Sequence, residues 1–167
     1  MFLSRVTNAL DAKGRVSVPA DFRAVIANGR ELGDRTTENF DGIIVWPSLS
    51  GPWLEGGGMA LMRRYQVLLD NMDPFDDDRM VFERTIFGES RRLAFDANGR
   101  VSLPKDLVAH AGLDKQVTFV GLGRRFEILS PKDCEVKFQQ ARAKVQREPH
   151  RLRLGGRPAS QDSAGSR

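Results

Sequence analysis

The sequence is poor in the residues from which reactive centres are built. Cysteine occurs once, at Cys134, and histidine twice, at His110 and His150. A lone cysteine excludes an intrachain disulfide and fits a reducing compartment. Neither histidine has a cysteine or acidic partner at metal-ligand spacing, and Cys134 stands in a Lys/Asp/Glu-rich segment with no adjacent histidine to act as its base. Long apolar runs are missing too: none approaches the roughly 20 residues of a membrane span. At the N-terminus Met1-Phe2-Leu3 meets Arg5 before a signal-peptide core can form. The expectation is a cytoplasmic protein that is not an enzyme and has no metal, cofactor, small-molecule substrate or membrane partner. Two glycine-rich stretches, Gly56-Gly57-Gly58 and Gly121-x-Gly123, lack the strand–glycine–helix context of a phosphate loop. Asp76-Asp77-Asp78 is better explained as a helix start than as a metal site, because carboxylates at a helix N-terminus face the positive end of its dipole.

What the chain does contain is a duplication. Leu10-Asp11-Ala12-Lys13-Gly14-Arg15-Val16-Ser17-Val18-Pro19-Ala20-Asp21-Phe22-Arg23 recurs as Phe95-Asp96-Ala97-Asn98-Gly99-Arg100-Val101-Ser102-Leu103-Pro104-Lys105-Asp106-Leu107-Val108, at an offset of 85 (96 minus 11), with eight of 14 positions identical. Composition alone would give roughly one match. In each copy the aspartate can accept from backbone N–H groups two residues on, and the glycine supplies a positive φ, so the segment reads as a tight turn. Val16 and Val18, then Val101 and Leu103, alternate with Ser17 and Ser102, the period of a half-buried strand. Pro19 and Pro104 end those strands and suit a helix start. Phe22, Val25 and Ile26 supply an apolar face to the first helix; Leu107 and Ala111 do so more sparsely in the second. Asp11, Gly14, Asp96 and Gly99 are therefore structural turn residues, and Arg15 and Arg100 are left exposed near each hairpin tip.

Each unit is too short to close a core alone, so the units must pack on each other or on other chains. Their charge is uneven. The net charge is +4, but the chain from Lys137 onward has eight basic residues against two acidic, leaving −2 for residues 1–136. Met1–Arg30 and Arg84–Lys105 each carry five basic residues against two acidic, whereas Glu31–Asp78 carries three against ten. Positive charge sits on the two motifs and the tail, and the acidic middle would be held away from a polyanion.

Along the chain, Phe2–Leu10 reads as the first strand, and the hairpin and its helix extend to about Gly29. Gly29–Asn39 reads as a polar loop, and Phe40–Pro47 as a glycine turn followed by a buried strand that Pro47 closes. Ser48–Gly58 looks weakly ordered, with Trp53 and Leu54 able to dock it. Met59–Met72 has the spacing of an amphipathic helix, and a further helix follows from Asp76 to Phe87. Arg91–Phe95 leads into the second hairpin. Gln116–Val120 and Phe126–Leu129 are strands, and Ile128-Leu129-Ser130-Pro131 aligns with Ile44-Val45-Trp46-Pro47. Lys132–Gln146 reads as a polar helix, and the chain from Pro149 as disordered.

The doubled Asp-x-x-Gly-Arg-Val-x-hydrophobic-Pro motif resembles the MraZ family, bacterial regulators of the division and cell-wall gene cluster with two SpoVT/AbrB-type modules. The resemblance covers nearly all of Phe2–Gln140. It implies an α+β fold of two tandem AbrB-like swapped-hairpin β-barrel modules with short helices, duplicated about a pseudo-twofold and forming rings. The implied boundaries are 5–52 for module one, 53–89 for a helical inter-repeat segment, 90–136 for module two and 137–167 for a basic helix and tail. The implied partners are double-stranded promoter DNA bearing direct repeats and further copies of the chain as a ring-like homo-oligomer, with nucleoid association and a repressor outcome. The family's Asp-x-x-x-Arg motif falls on Asp11 to Arg15 and on Asp96 to Arg100.

Arg15 and Arg100 can contact phosphates or the O6/N7 edge of guanine, or can pair with Asp11 and Asp96 to hold the hairpin. Lys13 is a candidate phosphate contact, replaced by Asn98 in the second copy. Arg5, Arg91 and Arg92 stand on strands leading into the hairpins and could widen the basic surface; Arg124-Arg125, in a turn, reads as solvated. An antitoxin-like or scaffold protein-interaction module with incidental DNA binding is the alternative.

Overall fold

The computed structural model describes residues 1–31 and 40–149. The chain runs β1 (Arg5–Ala9), β2 (Arg15–Ser17), α1 (Ala20–Glu31), β3 (Gly42–Pro47), β4 (Leu54–Gly57), α2 (Met59–Asp70) and α3 (Asp77–Phe82), which continues as a π-helical turn over Glu83–Gly88. It continues through β5 (Arg91–Ala94), β6 (Arg100–Ser102), α4 (Lys105–His110), β7 (Gln116–Gly121), β8 (Phe126–Leu129) and α5 (Pro131–Arg147). Among the described residues no helix is long and apolar enough to cross a membrane, and no group of three or more His, Cys, Asp or Glu is placed to hold a metal.

Six strands form an antiparallel sheet in the order β1-β7-β8-β4-β3-β5, and β2 pairs with β6 in a separate antiparallel ladder. The order reads the same from either end once each strand is exchanged for its counterpart in the other module. The pseudo-twofold passes between Val16 and Val101, which face each other in the β2–β6 ladder, and between Glu55 and Glu127, which face each other in the β4–β8 ladder. Every hairpin thus lies on the opposite module: β1 on β7, β5 on β3, β2 on β6. The fold is α+β with swapped hairpins, and the swap is completed inside one chain.

The physical reason is visible in the core. Phe2, Val16, Val18 and Phe22 from the first module and Val101, Leu103, Leu107, Phe119, Phe126 and Ile128 from the second belong to one buried cluster. Four phenylalanines meet at its centre. Phe22 lies 5.2 Å from Phe2, 5.4 Å from Phe126 and 6.1 Å from Phe119 between ring centroids. Neither half could bury these rings alone. Phe22 and Ile26 project from α1 one helical turn apart, which is why the helix after Pro19 packs inward. On the other face of the sheet Ile44 and Trp46 pack against Leu61 and Met62 of α2, with Tyr65 edge-on to Trp46 at 5.9 Å.

Several sequence expectations change in detail. The first strand starts at Arg5; Phe2 makes only an isolated bridge to Gly123. Ser48–Gly58 is not loosely held: Leu54–Gly57 is β4, an interior strand of the sheet and the first part of the segment expected to be helical. The counterpart of β8 is consequently β4, and that of β3 is β7, so the alignment of Ile128–Pro131 with Ile44–Pro47 is wrong by one strand. The glycines of β4 hid it. A Cβ on Gly56 would come within 2.7 Å of the buried Phe126 ring and 3.0 Å of the Ile44 carbonyl oxygen, so that position requires glycine for close packing, while one on Gly57 would come within 2.6 Å of the end of the Leu61 side chain, which would have to shift. Asp76 caps α3 by accepting from Asp78 N–H at 2.8 Å, in line with a helix start. Helix α1 reaches Glu31, so Gly29–Glu31 is helical; the rest of the expected polar loop, residues 32–39, and the tail from 150, including His150, lie outside the described residues. Met1–Cys134 forms one compact unit, and the described residues from Glu135 belong to a second. Within the second, the helix is polar, with Val136 and Val145 exposed, as its sparse apolar content indicated.

Candidate nucleic-acid interface

The two hairpin tips are built alike, bond for bond. In the first, Asp11 Oδ1 accepts from the backbone N–H of Lys13 at 3.0 Å and of Arg15 at 2.8 Å, while Oδ2 takes Arg15 Nε at 2.7 Å. In the second, Asp96 Oδ1 accepts from Asn98 N–H at 2.8 Å and Arg100 N–H at 2.9 Å, and Oδ2 takes Arg100 Nε at 2.9 Å. Gly14 N–H closes on Asp11 C=O, and Gly99 N–H on Asp96 C=O, both at 3.0 Å. The glycines have φ of +77° and +72°, which a β-carbon makes costly. Each carboxyl is held below its ordinary pKa, first by the backbone N–H of the arginine four residues on; desolvation opposes this, and the arginine's guanidinium and a second backbone N–H lower it further.

The tips are also tied to each other. Leu103 N–H donates to Gly14 C=O at 2.8 Å, and Val18 N–H to Gly99 C=O at 3.1 Å. The β2–β6 ladder and these two bonds therefore join the two turns directly.

This geometry answers the question of what holds Arg15 and Arg100. Each gives Nε to its aspartate, so the pairing that stabilises the hairpin is present. Among the described residues their terminal nitrogens make no hydrogen bond. A guanidinium fixed through Nε presents its other donors in a set direction. Lys13 and Asn98 are exposed at the apices.

Arg5 is not brought to this cluster. It begins β1 opposite Val120, six residues before Asp11 along an extended segment, which is roughly 20 Å at about 3.3 Å per residue. Arg91 donates to the Glu89 carbonyl at 3.0 Å and lies 3.6 Å from Asp106, and Arg92 stands 5.8 Å over the Phe40 ring. Arg125 pairs with Glu55 at 3.1 Å, so it is an ion-pair partner rather than simply solvated, while Arg124 is exposed. Cys134 is buried, and His110 lies 3.2 Å from the Gly51 carbonyl oxygen through Nε2. One residue that sequence reasoning passed over stands at the second tip. Arg23 of α1 lays its guanidinium against Gly99, and the signal available was the mismatch between Arg23 and Val108 in the aligned repeat.

Residues 86–154 match the family model described as "MraZ protein, putative antitoxin-like". A protein of Rickettsia canadensis named Transcriptional regulator MraZ is 40% identical over 141 residues, which cover 84% of this chain and 89% of that relative. The protein of the same name in Rickettsia bellii is 40% identical over 155 residues, 92% of this chain and 95% of its own length. The chain belongs to the MraZ family. The MraZ match reaches residue 154, past Gln140 where the resemblance was expected to stop. The two tips of this MraZ chain are equal in fold but unequal in charge, since Lys13 has Asn98 as its counterpart.

Proposed function

We propose that this MraZ-family chain is a transcriptional regulator that binds double-stranded DNA through its two hairpin tips, repressing the division and cell-wall gene cluster from direct repeats in its promoter. The observation that carries the reading is the paired Asp–Arg geometry. Two arginines, each braced by a carboxylate and a positive-φ glycine, stand on one shared ladder where the sequence concentrates its positive charge. Bracing an arginine in advance lowers the entropy lost when it meets a phosphate or a guanine edge. The relatives' name, Transcriptional regulator MraZ, supports the same reading.

Copies of the chain are proposed to assemble into a ring that presents several tips to successive repeats, so that linked weak contacts add through effective concentration. Since the hairpin swap is complete within one chain, assembly rests on other surfaces. Val67, Phe75 and Val81, exposed on and between α2 and α3, supply apolar area for it.

The test is binding of the intact protein to a direct-repeat operator and to scrambled DNA across a salt series, with Arg15→Ala and Arg100→Ala compared. At about 1–3 kcal/mol for each good bidentate base contact, loss of the tip arginine at two or three engaged copies should bring operator binding down to the non-specific level. Light scattering should show the assembly intact. Unchanged operator preference in both variants would leave these arginines as partners of Asp11 and Asp96 only. A protein-interaction module with incidental DNA binding would show no operator preference even in the unaltered protein.

A further inference from the structure

Arg23 departs from the repeat. At the offset of 85 its counterpart is Val108, yet the backbone at the two positions is equivalent: Arg23 N–H bonds Pro19 C=O and Val108 N–H bonds Pro104 C=O, both at 3.0 Å. From α1 of the first module its side chain crosses to the hairpin of the second. Nε donates to Val18 C=O at 3.3 Å, and the guanidinium packs on Gly99 so closely that a Cβ there would lie 2.6 Å from Cζ and Nη1. Gly14 has no such cover; a Cβ on it would meet the Leu103 carbonyl oxygen at 2.8 Å. Gly99 is accordingly buried while Gly14 is half-buried.

The charge inventories of the tips change once this is counted. The first tip has Lys13 and Arg15; the second has Arg100 and Arg23, with Asn98 where the lysine stood. Beside Arg23 lies an open cavity of about 540 Å³, kept roomy by Ala24, Ala27 and Ala97. Its acidic members are Asp96, whose carboxylate already accepts from Arg100 and two backbone N–H groups, and Asp41. Among the described residues the terminal nitrogens of Arg23 make no hydrogen bond.

We propose that Arg23 is a phosphate-binding residue of the second hairpin, supplied in trans by the first module, so that the second DNA-facing tip is a composite of both halves of the chain. The inference rests on the DNA-binding reading above. Held at Gly99 rather than at the Ala97–Asn98 apex, the guanidinium is placed for the nucleic-acid backbone beside whatever Arg100 touches. Such contacts add affinity without sequence preference.

Arg23→Gln retains a donor for the Val18 carbonyl and removes the charge. It should weaken binding to operator and scrambled duplexes alike and make the plot of log K against log salt shallower by about 0.9 for each engaged second tip, with the operator preference kept. Arg23→Lys should restore the slope, and so should Asn98→Lys added to Arg23→Gln, since it returns a cation to the same tip. Should Arg23→Gln melt early, Arg23→Met, whose stem still covers Gly99, is expected to show the same loss of slope. A full slope in a folded Arg23→Gln or Arg23→Met protein, while Arg15→Ala and Arg100→Ala lose operator binding, would overturn this assignment alone. If none of these variants alters DNA binding, the reading it rests on falls as well.

Discussion

Replacing Gly14 by alanine probes the joint between the two modules, and Gly112 provides the control. Both residues have positive φ, +77° at Gly14 and +56° at Gly112, so any L-residue pays a conformational penalty at either. That penalty is about 1–2 kcal/mol. The sites differ in what a methyl group meets. At Gly112 there is nothing within 4 Å, whereas at Gly14 the Leu103 carbonyl oxygen is 2.8 Å away. That carbonyl cannot retreat freely, because the Leu103 N–H is committed to Gly14 C=O at 2.8 Å and Val101 is buried two residues before it. Overpacking of this kind adds about 1–3 kcal/mol. Gly14→Ala should therefore cost roughly 3 kcal/mol and Gly112→Ala about half of that. At about 2–4 °C per kcal/mol for a chain of this size, the midpoints of thermal unfolding should drop by roughly 6–12 °C and 3–6 °C. Differential scanning calorimetry on both variants, with circular dichroism to confirm the native fold at 20 °C, reads the difference. Equal midpoints for the two would show that the cross-module contact relaxes at no cost, and the joint between the tips would have to be abandoned.

Phe22→Ala should be worse than either, at about 3–5 kcal/mol, because the ring touches Phe2 in its own module and Phe119 and Phe126 across the module boundary; a loss below 1 kcal/mol in urea titration would contradict the shared core. Acid should loosen the turns. The Asp11 and Asp96 carboxyls titrate below their ordinary value of 3.8, so their contribution is fully present above about pH 4 and is lost as the pH falls through the lowered folded values. Amide exchange at Arg15 and Arg100 should remain slow at pH 5 and accelerate beyond its intrinsic pH dependence below pH 3.8. Protection that persists unchanged at pH 2 would show that the carboxylates do not hold the turns.

The hairpins were legible because their chemistry is local. An aspartate that must accept two N–H groups, a glycine that must take positive φ and a proline that ends the strand leave a signature within a few residues, and the duplication printed it twice. The amphipathic stretch of α2 was legible for the same reason: its period belongs to one helix. β4 was not. Glu55 and Gly56-Gly57 break the apolar alternation of a strand, and the reason they do so, the Phe126 ring and Leu61 filling the space of a side chain, comes from distant parts of the chain. The π-helical turn after α3 escaped likewise, since Glu83–Gly88 has ordinary helical composition. At the site, Asp11–Arg15 and Asp96–Arg100 could be named from spacing alone, but spacing left open whether arginine and aspartate touch. Arg23 could not be placed, because it serves a hairpin that begins more than 70 residues later in the chain and is reached only through the swap.

The axis through Val16–Val101 and Glu55–Glu127 also governs how the two halves meet. Had the modules been separate polypeptides, their union would obey mass action, and dilution would dissolve the core that Phe22 shares with Phe126. Joined in one chain, the halves are held at a fixed one-to-one ratio at any concentration. The linkage permits something that a dimer of identical subunits cannot have. Such a dimer must present the same tip twice, whereas here an arginine can be kept at position 23 and a valine at 108, a lysine at 13 and an asparagine at 98. A mutation in one half is not imposed on the other. Each tip can be tuned to its own stretch of a ligand that is not itself symmetric.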